Sequence, residues 1–187
     1  MKAEQLQVMF PAGVQLPDTL SKLCQYSEQD KDYICCDFKL IANRYGISQA
    51  FRDVKDESKH MAIFGRDGHQ SLYGYWMYGE HSVDQAPIVY VHHEGVGTAV
   101  IANTLEELLS LLALGYEEIG LVTAWQMQEQ ERKVPCEGID RFRVWLESEL
   151  GVRPAADGRA VIARAQQAHP DFAAWLQGQR EQAAPQP

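Results

Sequence analysis

Between Arg66 and Arg132 the chain contains no lysine and no arginine. That window holds ten acids instead, Asp67, Glu80, Asp84, Glu94, Glu106, Glu107, Glu117, Glu118, Glu129 and Glu131, and the whole chain carries a formal net charge of −9. Nucleic-acid binding depends on clustered basic side chains that displace counterions from phosphates, so direct nucleic-acid binding is not expected. A long anionic stretch favours basic partners instead. Long apolar runs are also missing. The opening MKAEQLQVMFPAGVQL is broken by glutamate, glutamines and a proline. It offers neither a secretory hydrophobic region nor the roughly 20 apolar residues of a membrane span, and the expected location is the cytoplasm.

Cysteine is sparse and poorly spaced for chemistry. Cys24, Cys35, Cys36 and Cys136 form no C-x-x-C pair, which argues against zinc and against a disulfide framework and for buried, reduced thiols. There is no G-x-S-x-G, no phosphate loop with its Lys-Ser/Thr and no H-E-x-x-H, so no catalytic residue and no cofactor is nominated. His92, His93 and Glu94, with His69 or His81 as a third ligand, would be the residues of a metal-dependent enzyme. Their spacing fits a solvated hairpin tip better, where His93 and Glu94 touch a partner. The paired acids Glu106-Glu107 and Glu117-Glu118 fit helix starts and connections rather than an acid-base pair.

At 187 residues and 45% hydrophobic, the chain has the size of one domain with a sizeable core. Leu16-Pro17-Asp18 opens a helix whose Leu20, Leu23 and Cys24 share a face and which ends near Ser27. Tyr33–Phe38 is short and rich in β formers, and reads as a strand. Arg44–Lys59 is polar and reads as a loop. Met61–Phe64 and Ser71–Tyr78 form a hairpin in which Asp67-Gly68 supplies the positive φ. Pro87–His92 and Thr98–Ala102 form a second hairpin across His93–Gly97. Thr104-Leu105-Glu106-Glu107 is a capping box leading an apolar helix that Gly115 closes. Further helices are expected over Ile139–Leu150 and Gly158–His169, followed by an apolar patch at Phe172, Trp175 and Leu176. Residues 179–187 are polar and expected to be disordered. This order predicts an α+β fold. It has a central antiparallel sheet of four to six strands, with helices before it and at its C-terminal end packed on one face.

Tyrosine and tryptophan anchor protein interfaces, and Tyr73, Tyr75, Trp76, Tyr78 and Tyr90 are concentrated in two neighbouring strands near Asp67, Glu80 and Asp84. Strand alternation puts Tyr73 and Tyr75 on one face and Trp76 on the other. Trp76 reads as core, and Tyr73 and Tyr75 are the candidates for exposure. The candidate partner-binding set is therefore Asp67, Tyr73, Tyr75, Glu80, Asp84, His93 and Glu94.

Three stretches, in order, resemble the SUKH superfamily, which includes a fungal cell-wall-synthesis regulator associated with killer-toxin resistance and many bacterial toxin-immunity proteins. They are the Leu16-Pro17 helix start, the Asp67-Gly68 turn running into Tyr73–Tyr78, and Pro87–Val91 with Val100–Ala102 and Thr104–Leu109. The resemblance covers about residues 14–115, and the segments around Phe142–Leu150 and Ala165–Trp175 resemble the helical extension of some bacterial members. The implied organisation is one domain over 1–178, its core at 14–115 and its helical extension at 116–178. The resemblance also implies no enzymatic activity and a role as a protein-binding module. The resulting expectation is an immunity protein that occludes a basic toxin domain, plausibly a nuclease. The alternatives are an endogenous scaffold and the metal-dependent enzyme above.

Overall fold

The computed structural model describes residues 1–29, 34–35, 37–42, 60–78, 82–93, 97–115 and 138–183. The loop reading of residues 44–59, the connection 116–137, Cys36, Cys136, Glu80, His81 and Glu94 all lie outside them.

Leu6, Met9 and Phe10 recur at helical spacing and are all buried. They dock a short helix, α1 (Ala3–Gln7), and the turn after it. The Gln7 amide fixes the next segment, donating to Val14 O at 2.8 Å and accepting from Leu16 N–H at 3.0 Å. Helix α2 (Asp18–Ser27) starts directly after Pro17, where a fixed φ and a missing N–H are harmless. Its Leu20, Leu23, Cys24 and Ser27 form one buried stripe, as the 3.6-residue period requires.

The expected strand over Tyr33–Phe38 is displaced. Ile34 N–H donates to Phe38 O and Phe38 N–H to Cys35 O, a tight turn with one isolated bridge between Cys35 and Phe38. Pairing begins only at β1 (Lys39–Leu40). Then follow β2 (Met61–Arg66), β3 (Leu72–Trp76), β4 (Ile88–Val91) and β5 (Ala99–Ala102), giving an antiparallel meander in the order β1-β2-β3-β4-β5. A bulge between Ile63 and Gly65 shifts the register of β2 against β3. Gly65 has a packing reason: a Cβ there would lie 2.5 Å from the Phe38 ring, which itself stands edge-on to Tyr73.

Helix α3 (Leu105–Leu112) follows β5 without a long loop. Thr104 Oγ1 accepts from Glu107 N–H, as the capping box requires, but the Glu107 carboxylate reaches the Asn103 N–H instead of its reciprocal partner. Helix α4 (Ile139–Trp145) runs into a π-helical turn, Leu146–Leu150, that ends at Gly151 in the left-handed region. Helix α5 (Gly158–Ala168) is capped by Asp157, whose carboxylate accepts from the N–H groups of Arg159 and Ala160. Helix α6 spans Asp171–Ala183, so residues 179–183 are helical where disorder was expected.

The α+β class and the central antiparallel sheet are as the sequence predicts. The helices, however, do not gather on one face. Tyr75 packs against Phe10 on one side of the sheet, while its neighbour Trp76 packs against Phe172 and Trp175 of α6 on the other. Every residue of β3 and β4 is buried, the pattern of a sheet covered on both faces. Arginines from the C-terminal helices also return to the acidic stretch. Arg164 pairs with Glu107 at 3.2 Å, and Arg143 donates to Ala113 O at the end of α3, where a cation complements the helix dipole.

Candidate functional site

The double covering decides which candidate residues lie at the surface. Tyr73 and Tyr75 are each 1% exposed, which corrects their assignment to an outer face. Tyr73 stands edge-on to Phe38 and Tyr90, and Tyr75 packs on Phe10 and Phe64. Trp76 is core, as expected. Asp84 and His93 are at the surface. They flank β4 at its opposite ends.

The His93 end is a latch. Asp67, also a binding candidate, is 3% exposed. Its Oδ1 accepts from the N–H groups of His69 at 3.0 Å and Ser71 at 2.9 Å, and its Oδ2 from the Tyr90 hydroxyl at 3.4 Å. That carboxylate closes the loop between β2 and β3, so Asp67 folds the hairpin instead of meeting a partner. The positive φ of this loop falls on Gln70 and not on Gly68, because the aspartate-capped loop is longer than the two-residue turn that the Asp-Gly pair predicts. Gly68 instead lies against Asp37. Ser71 Oγ is fully buried, accepts the His93 N–H at 3.3 Å and sits 3.4 Å from His93 Nδ1. The His92 and His93 rings pack with centroids 4.3 Å apart. Among the described residues no three His, Cys, Asp or Glu side chains are placed to hold a metal ion.

At the other end, the pairing register sets up a row on one face of the sheet: Tyr75 opposite Ile88, and Ile88 opposite Ala102. Asp84, exposed in the 3-10 turn Val83–Gln85, precedes Ile88 by one turn of chain. Glu106, half-buried in the first turn of α3, follows Ala102 by the same number of residues. The Thr19 hydroxyl at the start of α2 donates to Glu106 Oε1. The Tyr75 hydroxyl is buried and has no hydrogen-bond partner among the described residues. Burial first, then the charges of Glu106 and Asp84, push its pKa well above 10.0, because each disfavours a phenolate. Of the two acids, Asp84 is a candidate in the sequence, whereas Glu106 reads there as part of a helix start. The burial of the tyrosine hydroxyl depends on how the sheet is covered and is not legible in the sequence.

Burial likewise raises the Cys24 thiol from 9.0 to about 11. Both groups have folded pKa values above their unfolded ones. Their stabilising contribution is therefore complete below about pH 9 and is lost as pH rises through the folded values. The expected result is an unfolding midpoint that falls steadily between about pH 9 and 11, with a shallower fall in Cys24→Ala. Thermal melts across that range, read as slopes, check it. Identical slopes in the two proteins would remove Cys24 as a cause.

No protein-family model, no curated protein and no solved structure matches this chain. No helix among the described residues is long and apolar enough to cross a membrane.

Proposed function

We propose that this chain is a cytoplasmic, non-enzymatic protein-binding module of the SUKH type, an immunity protein that neutralises a basic toxin domain by covering its substrate site. The observation that carries this reading is the run from Arg66 to Arg132 without one lysine or arginine, with Asp84 held at the surface. An acidic surface speeds encounter with a basic partner and repels competing nucleic acid. Burial of Tyr73 and Tyr75 shifts the weight of the interface from aromatic anchors to carboxylates. Further support comes from the order of a leading helix, an antiparallel meander and C-terminal helices, which is the order that the resemblance implies.

The test is capture on the immobilised chain at low salt from the organism that encodes it, with identification of what elutes as salt is raised. The reading requires one stoichiometric basic protein whose expression alone arrests growth and whose effect is lifted by co-expression of this chain. Recovery of ordinary cellular complexes would make the chain a scaffold instead.

A further inference from the structure

Glu107 lies inside the stretch without lysine or arginine, yet a guanidinium already sits on it. Its Oε2 accepts from the backbone N–H and from the side-chain amide of Asn103, both at 2.9 Å, which fixes the carboxylate and leaves Oε1 to a cation. Arg164 of α5 takes that place, donating from Nη2 at 3.2 Å. The Glu107 side chain is 27% exposed and that of Arg164 59%, so the pair stands where a second protein reaches it, and an ion pair at the surface is weak enough to exchange. Arg164 is not held there by the pair itself. Its helix docks through the buried Val161, Ile162 and Ala165, which present the guanidinium to Glu107 at a high effective concentration. A carboxylate set to accept a guanidinium from its own chain has the geometry to accept one from another. Arginine replaces arginine there better than lysine does, because guanidinium is planar and sheds water more readily than ammonium.

We propose that Glu107 is a contact for an arginine of the basic partner and that Arg164 is its in-chain placeholder, an autoinhibitory contact that the partner's guanidinium displaces. The proposal rests on the reading of the chain as a binder of a basic protein and adds how that binding is held in check. The placeholder keeps the carboxylate paired in the free chain and makes every incoming cation compete with α5. A partner that brings several contacts overcomes that competition, whereas a lone cationic side chain does not.

The experiment is a titration of the isotope-labelled chain with hexa-arginine peptide at low salt, read by backbone amide shifts and by the side-chain Nε–H signal of Arg164. Expected are shifts centred on residues 103–107 and a move of the Arg164 signal toward that of a solvated arginine. Arg164→Ala should tighten binding by about threefold, because the competitor is gone. Glu107→Gln, which keeps an oxygen for Asn103, should weaken it by about fivefold and cancel the gain from Arg164→Ala in the double variant. Arg153→Ala controls for net charge. It removes another exposed arginine, paired with Glu147 at 2.7 Å, and should leave binding unchanged. Equal tightening by Arg153→Ala and Arg164→Ala would overturn the placeholder, as would a gain from Arg164→Ala that survives Glu107→Gln. An Arg164 signal that stays in place, shifts centred elsewhere or no binding of the peptide would do the same. The Arg164 signal and Arg164→Ala decide the matter even if Glu107→Gln loosens the start of α3. These outcomes are separable from failure of the functional reading. A basic protein captured with equal affinity by wild type and Arg164→Ala refutes the placeholder alone, whereas displacement of Arg164 by the peptide with no basic protein captured refutes the toxin-binding role alone.

Discussion

Truncating Trp76 to alanine should lower the unfolding free energy by about 3–5 kcal/mol, the range for removing a large aromatic from a packed core. Trp76 is 1% exposed, stacks on Tyr78 with centroids 3.9 Å apart, and meets Phe172 at 4.8 Å and Trp175 at 5.5 Å. Three of these four rings lie outside the strand, so the cavity would open at the seam between the sheet and α6. The Tyr78 hydroxyl, 2.7 Å from His169 Nδ1 between α5 and α6, would remain as the second tie. Denaturant titration gives the loss in free energy, and hydrogen exchange of residues 171–183 shows where it falls. Since domains are stable by only about 5–15 kcal/mol in total, the variant should be close to unfolding, with α6 exchanging first. A loss below about 1 kcal/mol would mean that α6 does not depend on this tryptophan.

The second large effect is expected at Asp67→Ala. Its carboxylate takes two backbone N–H groups and the Tyr90 hydroxyl while nearly fully buried. Hydrogen bonds to a charged acceptor contribute about 1.5–3 kcal/mol each, and a buried N–H left without an acceptor costs further. The alanine variant should lose about 2–4 kcal/mol, and Asp67→Asn, which keeps one carbonyl oxygen for the loop, about half as much. The comparison separates two roles. A residue that serves only a partner would leave the unfolding midpoint of the free chain unchanged when removed. A hairpin latch destabilises the chain before any partner is added.

The same two residues show what the sequence makes legible. Trp76 is readable as core and the hairpins as hairpins, because strand alternation and turn residues act over a few positions. Helix α2, the capped start of α3 and the Gly151 stop are readable for the same reason. What escapes is set by distant packing. Tyr73 and Tyr75 look like an outer face only if one side of the sheet is open, and that side is closed by Phe10 and Phe38, remote in sequence. The β formers Ile34 and Cys35 are taken into a turn, so β1 starts later than propensity suggests. Helix α1 is short enough to need its docking, although the spacing of Leu6, Met9 and Phe10 carries the signal. Residues 179–183 are weak in pattern and become helical as a continuation of α6. In the candidate site, the acids are a matter of composition and could be read directly. The burial of the Tyr75 hydroxyl, and the Arg164 that returns to Glu107, depend on the tertiary fold.

The proposal is that the stretch without lysine or arginine selects a basic protein, and association kinetics with the captured partner test it most directly. The rate should fall by about tenfold between low and physiological salt, and Asp84→Lys should lower the low-salt rate and flatten its salt dependence. A rate that is indifferent to salt and to Asp84→Lys would contradict the account, because binding would then not be guided by the acids on which it depends.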